Sequence, residues 1–298
     1  MRAGVLFGIA AYGLWGMFPV YFHALDDAGP IEVVAHRIGW SLLVVLVLLA
    51  VTRKLHAIRD LGGDRRTLLL LSVAAVLIAV NWSVYIYAVG AGHVIEAALG
   101  YFITPLISVA LGMTVFGERL RPAQAGALAL GTVAVILLSV YYGGFPWIAL
   151  VLGVSFGTYG LLKKLADIGA AESLAVETSV LFLPALAVIV VLAWTGGGAF
   201  ATGDLSLTLL LVLAGPVTAL PLLLFAACVT RVPLSIVGLL QYLTPVLQFL
   251  IGWLAYDELM STARWIGFGL VWLALIVLTF DGLRVARRSP VTDLATAT

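Results

Sequence analysis

Tyr101-Phe102-Ile103-Thr104-Pro105-Leu106 returns 140 positions later as Gln241-Tyr242-Leu243-Thr244-Pro245-Val246. Each copy lies inside a long apolar run. Each is followed, 14 positions after its threonine, by an acidic residue: Glu118 in Phe116-Gly117-Glu118 and Glu258 in Tyr256-Asp257-Glu258. Leu14-Trp15-Gly16 likewise matches Ser155-Phe156-Gly157. The chain is therefore read as two related halves. Working outward from these stretches, ten apolar segments follow: 3–22, 32–51, 67–89, 93–115, 122–142, 146–163, 173–194, 206–228, 234–256 and 262–282. Each half holds five. An odd number forces the second half to enter a bilayer in the opposite sense, which is the inverted-repeat plan common among secondary transporters. The predicted fold is all-α, a polytopic membrane protein with ten transmembrane helices in two inverted five-helix repeats. The repeats cover 3–142 and 146–282, and 283–298 is a cytoplasmic tail.

Composition excludes the water-soluble alternatives. Of 298 residues, 63% are hydrophobic and 10% charged, against about 25% charged in an ordinary soluble domain. Mean hydropathy is +1.15. A net charge of +1 excludes a nucleic-acid surface built on bulk charge. The single Cys228 excludes an internal disulfide. The apolar segments are continuous rather than alternating, which excludes a transmembrane barrel. Thirteen Arg against three Lys, with abundant Ala, Gly and Val, fits a GC-rich bacterial genome.

The breaks between segments set orientation, because cytoplasmic loops collect Lys and Arg. With the N-terminus inside, the inner side holds Arg2, the Arg53–Arg66 stretch, Arg119, Arg121, Lys163, Lys164, Arg231 and the Arg284–Arg288 tail. The outside receives Arg264, and Arg37 lies within a segment. Both termini are expected in the cytoplasm.

Further stretches carry a resemblance. They are Gly13-Leu14-Trp15-Gly16-Met17-Phe18-Pro19, Glu32-Val33-Val34-Ala35-His36-Arg37, Asn81-Trp82-Ser83-Val84-Tyr85, Ala98-Leu99-Gly100 leading into Tyr101–Pro105, and Leu240 leading into Gln241–Pro245. On these the chain resembles the EamA family of the drug/metabolite transporter superfamily, and within it the RarD-type proteins, over roughly 3–282. Trp-Gly and Thr-Pro mark the superfamily; Glu-x-x-x-His-Arg and Asn-Trp are narrower. The resemblance implies ten helices, two cytoplasmic termini and solute transport in a bacterial cytoplasmic (inner) membrane. It carries no substrate.

The polar residues inside the segments are the candidates for function. Arg37 sits about five residues into segment 2. A charge at mid-membrane costs about 2.5–3.5 kcal/mol. Its planar donor fork suits an anion such as a carboxylate, and a snorkelling or ion-paired role is the alternative, with Glu96 as the expected partner. Glu177, near the inner start of segment 7, could bind an amine or carry a coupling proton; otherwise it pairs with Lys163, Lys164 or Arg231. Asn81 shares a helical face with Tyr85, to line a cavity or to hold helices together. Thr104-Pro105 and Thr244-Pro245 break two helices at matching positions, which in repeat transporters marks the binding site and its hinges. Threonine can partly satisfy the carbonyl that proline frees. Tyr101, Gln241, Tyr242 and Gln248 flank these breaks, and Trp15 and Tyr159 complete the expected lining. Gly126/Gly131 and Gly153/Gly157 are expected at close helix contacts.

No phosphate loop, scattered histidines and no Ser-His-Asp set argue against an ATPase, a metal or cofactor site, or an enzyme. The expected partners are a small-molecule solute, the lipid bilayer and a coupling proton. The expected function is export of small metabolites or drug-like solutes by alternating access. Uptake of amino or organic acids and a non-transporting receptor or assembly subunit are the alternatives.

Overall fold

In the computed structural model the chain is described over residues 2–56, 63–90, 94–142, 147–202 and 204–255, with parts of 262–281. The described residues form helices and connecting turns, without strands. In chain order the helices are α1 (Arg2–Gly16), α2 (Phe18–His23), α3 (Pro30–Val51), α4 (Arg65–Gly90), α5 (Val94–Phe116), α6 (Pro122–Tyr142), α7 (Trp147–Ala166), α8 (Ala170–Thr195), α9 (Leu205–Val229), α10 (Leu234–Leu240) and α11 (Leu243–Ala255). A shorter apolar stretch, Trp265–Ala274, follows.

Six of the described helical stretches are long and apolar enough to cross a membrane. Their outer faces carry large apolar side chains with no protein cover: Trp194 is 90% exposed and Val51 77%. A soluble monomer rarely shows such contiguous apolar surface. Hydrocarbon is the medium that accepts it, because a helix satisfies most of its backbone groups internally.

Two of the ten expected segments are broken. Segment 1 divides at Met17 into α1 and α2. Pro19 lacks the N–H that would close the turn onto Trp15, and the backbone tightens, with Met17 N–H donating to Leu14 O and Val20 N–H to Met17 O. Segment 9 divides at Gln241–Tyr242 into α10 and α11. Pro245 leaves the Gln241 carbonyl unused, and Thr244 N–H bonds it at 3.3 Å. Pro105 behaves differently, since α5 runs through it unbroken. The Thr104 hydroxyl donates to Gly100 O at 2.8 Å. It therefore reaches the neighbouring carbonyl and not the Tyr101 carbonyl that Pro105 frees.

Helix contacts follow small residues. α5 lies along α7, where a Cβ on Gly153 would fall 2.7 Å from Ile103 Cγ2 and one on Gly157 2.6 Å from Ile107 Cγ2. A Cβ on Gly131 of α6 would collide with the Tyr242 hydroxyl, whereas one on Gly126 would meet open space. Glu118, in the turn after α5, fastens the start of α10: Leu234 N–H donates to Oε1 at 2.7 Å and Ser235 N–H to Oε2 at 2.8 Å. The loop between α8 and α9 is fastened to α3 by Glu32, whose carboxylate accepts from the N–H groups of Ala199 and Phe200 at 2.9 and 3.0 Å.

Candidate functional site: a central cavity with one buried cation

Trp15 of α1, Arg37 of α3, Asn81 and Tyr85 of α4, Tyr101 and Thr104 of α5, and Gln241, Thr244 and Gln248 around the α10–α11 break face one cavity. Phe18, Phe22, Trp82, Phe156 and Leu222 supply apolar wall. This inner chamber offers about 100 Å³ of free space. An outer chamber of about 210 Å³ continues from it past Phe22, Arg37, Trp82 and Tyr85 to Leu25, Asp26 and Pro30. Residues of both halves of the chain contribute to the inner wall.

Arg37 is 8% exposed. Its Nε donates to Thr218 Oγ1 at 2.9 Å. Its guanidinium carbon stands 4.5 Å from the centre of the Trp82 ring, 5.3 Å from Phe22 and 5.7 Å from Phe18. Cation–π attraction of this kind is worth about 0.5–2 kcal/mol per desolvated contact. Among the described residues no carboxylate pairs with Arg37. The expected partner, Glu96, lies in the first turn of α5 with its side chain outside the described residues.

The neutral polar groups are partly committed. Asn81 Nδ2 donates to Leu152 O at 3.0 Å and to Ser155 Oγ at 2.9 Å, so this residue both joins α4 to α7 and lines the chamber. Ser108 donates to Gln241 Oε1 at 3.2 Å, Thr244 to Tyr12 O at 2.9 Å, and Gln248 Nε2 to Trp15 O at 3.2 Å. Tyr85 and Tyr101 pack edge to face with ring centres 6.0 Å apart. Away from the outer chamber, the inner chamber ends on aromatic packing. Trp15 and Phe156 meet at 5.6 Å, and behind them Tyr159 stacks on Phe225 at 5.7 Å.

Three expected lining residues are elsewhere. Tyr242 is fully buried beside Phe102, Ala134 and Leu239, behind the cavity wall. Tyr159 and Glu177 belong to a second buried cluster outside this lining, although Glu177, Arg37 and Thr218 border one small gap of about 10 Å³. Glu177 accepts from Lys163 Nζ at 2.6 Å, Ser173 Oγ at 2.8 Å and Tyr159 Oη at 2.9 Å, and Lys163 also meets Ser173. These three donors commit the carboxylate to its own cluster. Pro105 and Pro245 stand behind the residues that face the cavity, so the lining at these sites comes from the threonines. Charge type alone cannot tell a lining carboxylate from a paired one, and Lys163, four residues after Tyr159, was the available sign of pairing.

Sequence reasoning missed Phe18, Phe22 and Thr218. The first two lie where the break at Met17 turns α2, and Thr218 was hidden in a long apolar run. The Glu32-x-x-x-His36-Arg37 stretch also acquires a geometry. The four-residue spacing puts Glu32 and His36 toward the α8–α9 loop, where His36 packs on Phe200 at 4.5 Å and accepts from Trp40 Nε1 at 3.1 Å. Arg37, one step round the helix, turns to the cavity. Among the described residues no cluster of three His, Cys, Asp or Glu is gathered.

A polytopic helical membrane protein with a solute-sized chamber between its halves belongs to the membrane transporters. The comparisons define the family. The model of the EamA-like transporter family matches residues 2–140. Protein RarD of Streptomyces exfoliatus is 51% identical over 97% of this chain and 91% of its own length. Protein RarD of Escherichia coli strain K12 is 36% identical over 97% of both chains. An uncharacterized transporter of Vibrio cholerae is 39% identical over 97% of this chain and 96% of its own. A solved crystal structure superposes with TM-score 0.73 at 19% identity, over 96% of this chain and 99% of that one, and so shares the fold. The chain belongs to the EamA family and is of the RarD type. It is a transporter of the bacterial inner membrane.

Proposed function

We propose that the chain is a ten-helix secondary transporter of two inverted five-helix repeats, both termini cytoplasmic, that exports small solutes by alternating access. The observation that carries this reading is the cavity wall itself. Trp15, Asn81, Tyr101 and Thr104 come from the first half, and Phe156, Gln241, Thr244 and Gln248 from the second. A chamber shared by two halves opens to either side when one half rocks against the other. With the N-terminus inside, the outer chamber at Asp26 and Pro30 is the periplasmic mouth. The aromatic packing of Trp15, Phe156, Tyr159 and Phe225 is then the cytoplasmic barrier. The breaks at Met17 and at Gln241–Tyr242 are the hinges of this motion, and Thr104-Pro105 is a kink site within α5.

The Lys163–Glu177 pair, beside the aromatic packing, keeps that barrier shut. The test is retention of a mixed solute load by proteoliposomes, with and without a proton gradient. Solutes lost faster than from empty liposomes identify transport. Accumulation from outside under either gradient instead identifies uptake. No flux of any solute through folded protein moves the reading to a receptor or assembly subunit.

A further inference from the structure

We infer that Arg37 makes this cavity a site for organic monoanions, a carboxylate attached to a flat apolar body, and that it selects them against neutral and cationic analogues. The inference deepens the transporter reading and rests on it for its physiological meaning, but its binding claim is testable without transport. Arg37 is the one charged side chain of the inner chamber among its described lining residues. The nearest acid of the outer chamber, Asp26, is 70% exposed and paired with His23 at 3.0 Å. Among the described residues aromatic faces and one threonine are what meets this buried cation, and no counter-ion stands beside it. Nε is used by Thr218. Among the described residues nothing accepts from the two Nη groups. Those groups form the edge that receives a carboxylate through two parallel N–H···O bonds.

The rest of the wall fixes the body of the ligand. Phe18, Phe22 and Trp82 present ring surface to the guanidinium, and Trp15, Tyr85 and Tyr101 present it to the rest of the chamber. A planar apolar group fits between such faces. For a ligand ammonium the inner lining offers ring faces and amide and hydroxyl oxygens but no carboxylate among its described residues, and the guanidinium repels a second positive charge.

Four probes with one ring separate these terms: phenylacetate, 2-phenylacetamide, phenethylamine and phenylalanine. Each is titrated into the purified full chain in zwitterionic-lipid nanodiscs, which hold no anionic headgroup, and read by calorimetry and by the rise in melting temperature that mass action gives. Inorganic phosphate is a fifth arm that carries charge without a body. Phenylacetate is expected to bind at least about tenfold more tightly than each of the others, a difference of about 1.4 kcal/mol. Arg37→Met should abolish that preference, and Arg37→Lys should keep part of it by retaining charge without the fork. The wild-type ratio of acid to amide needs no variant, so a misfolded Arg37→Met cannot shelter the inference.

Equal binding of acid and amide, tighter binding of phenylalanine, phenethylamine or phosphate, or no binding of any probe overturns it. Flux in liposomes is scored separately. Arg37-dependent phenylacetate binding with no flux of any solute would sink the transporter reading and leave the site. Flux of neutral or cationic solutes without acid preference would sink the site and leave the transporter.

Discussion

Gln248 of α11 donates from Nε2 to the backbone carbonyl of Trp15, 3.2 Å away across the two halves. That carbonyl is the one Pro19 frees, four residues on. The break in the first half is therefore satisfied by a side chain of the second. Such a bond is worth about 0.6 kcal/mol on average within a membrane. Gln248→Leu is expected to lower stability by no more than about 1.7 kcal/mol, the upper end for such bonds, and to slow solute efflux beyond what that loss explains. Parallel melting curves and liposome efflux check this. Wild-type efflux from Gln248→Leu would remove the bond from the transport cycle.

The Lys163–Glu177 pair is 2–3% exposed. Removing one partner leaves a charge buried alone, which costs about 3–5 kcal/mol, whereas replacing both by apolar groups can be neutral. Lys163→Met and Glu177→Leu are each expected to destabilise strongly, and the double variant to recover most of the loss. A double-mutant cycle on unfolding in detergent measures the coupling. Additive losses would show that the two residues are stabilised independently.

Gly153 and Gly157 leave no room for a side chain against Ile103 and Ile107. Gly153→Val and Gly157→Val should each destabilise by about 1–3 kcal/mol, as overpacking does. Gly126→Val, at a position facing open space, should change little. Comparable losses at all three positions would contradict the packing of α5 on α7.

Glu118 lies in the turn between α5 and α6. Partial burial opposes its ionisation, but hydrogen bonds from Ser235 and Leu234 and the nearby Lys164 outweigh that and hold its carboxyl below the ordinary value. A folded pKa below the unfolded one means stability that is present above the unfolded value, about 4.3, and lost as pH falls through the folded one. Wild type should therefore exceed Glu118→Gln in stability by a constant margin at neutral pH, and the margin should shrink below about pH 4.3. Melting curves of both proteins across that range measure it. A margin independent of pH would assign the effect to packing alone.

The sequence by itself determined that this is a membrane protein of continuous apolar helices, its family, and the two stretches around Thr104 and Thr244 whose threonines face the cavity. Those properties are written in local composition and in repetition, which survive without three-dimensional context. It also singled out Arg37, because a charge inside an apolar run is conspicuous wherever it ends up. Tertiary structure decided what each polar residue faces. Tyr242 and Gln241 are neighbours in sequence, yet one is buried behind the wall and the other lines the chamber, since the break between α10 and α11 falls at these two residues and sends their side chains to different sides. Glu177 and Arg37 look alike as isolated intramembrane charges. Lys163, Ser173 and Tyr159 gather on the first, while among the described residues aromatic rings and a single threonine stand against the second. Which of two buried charges is neutralised depends on helices far apart in the chain, and helix packing settled it.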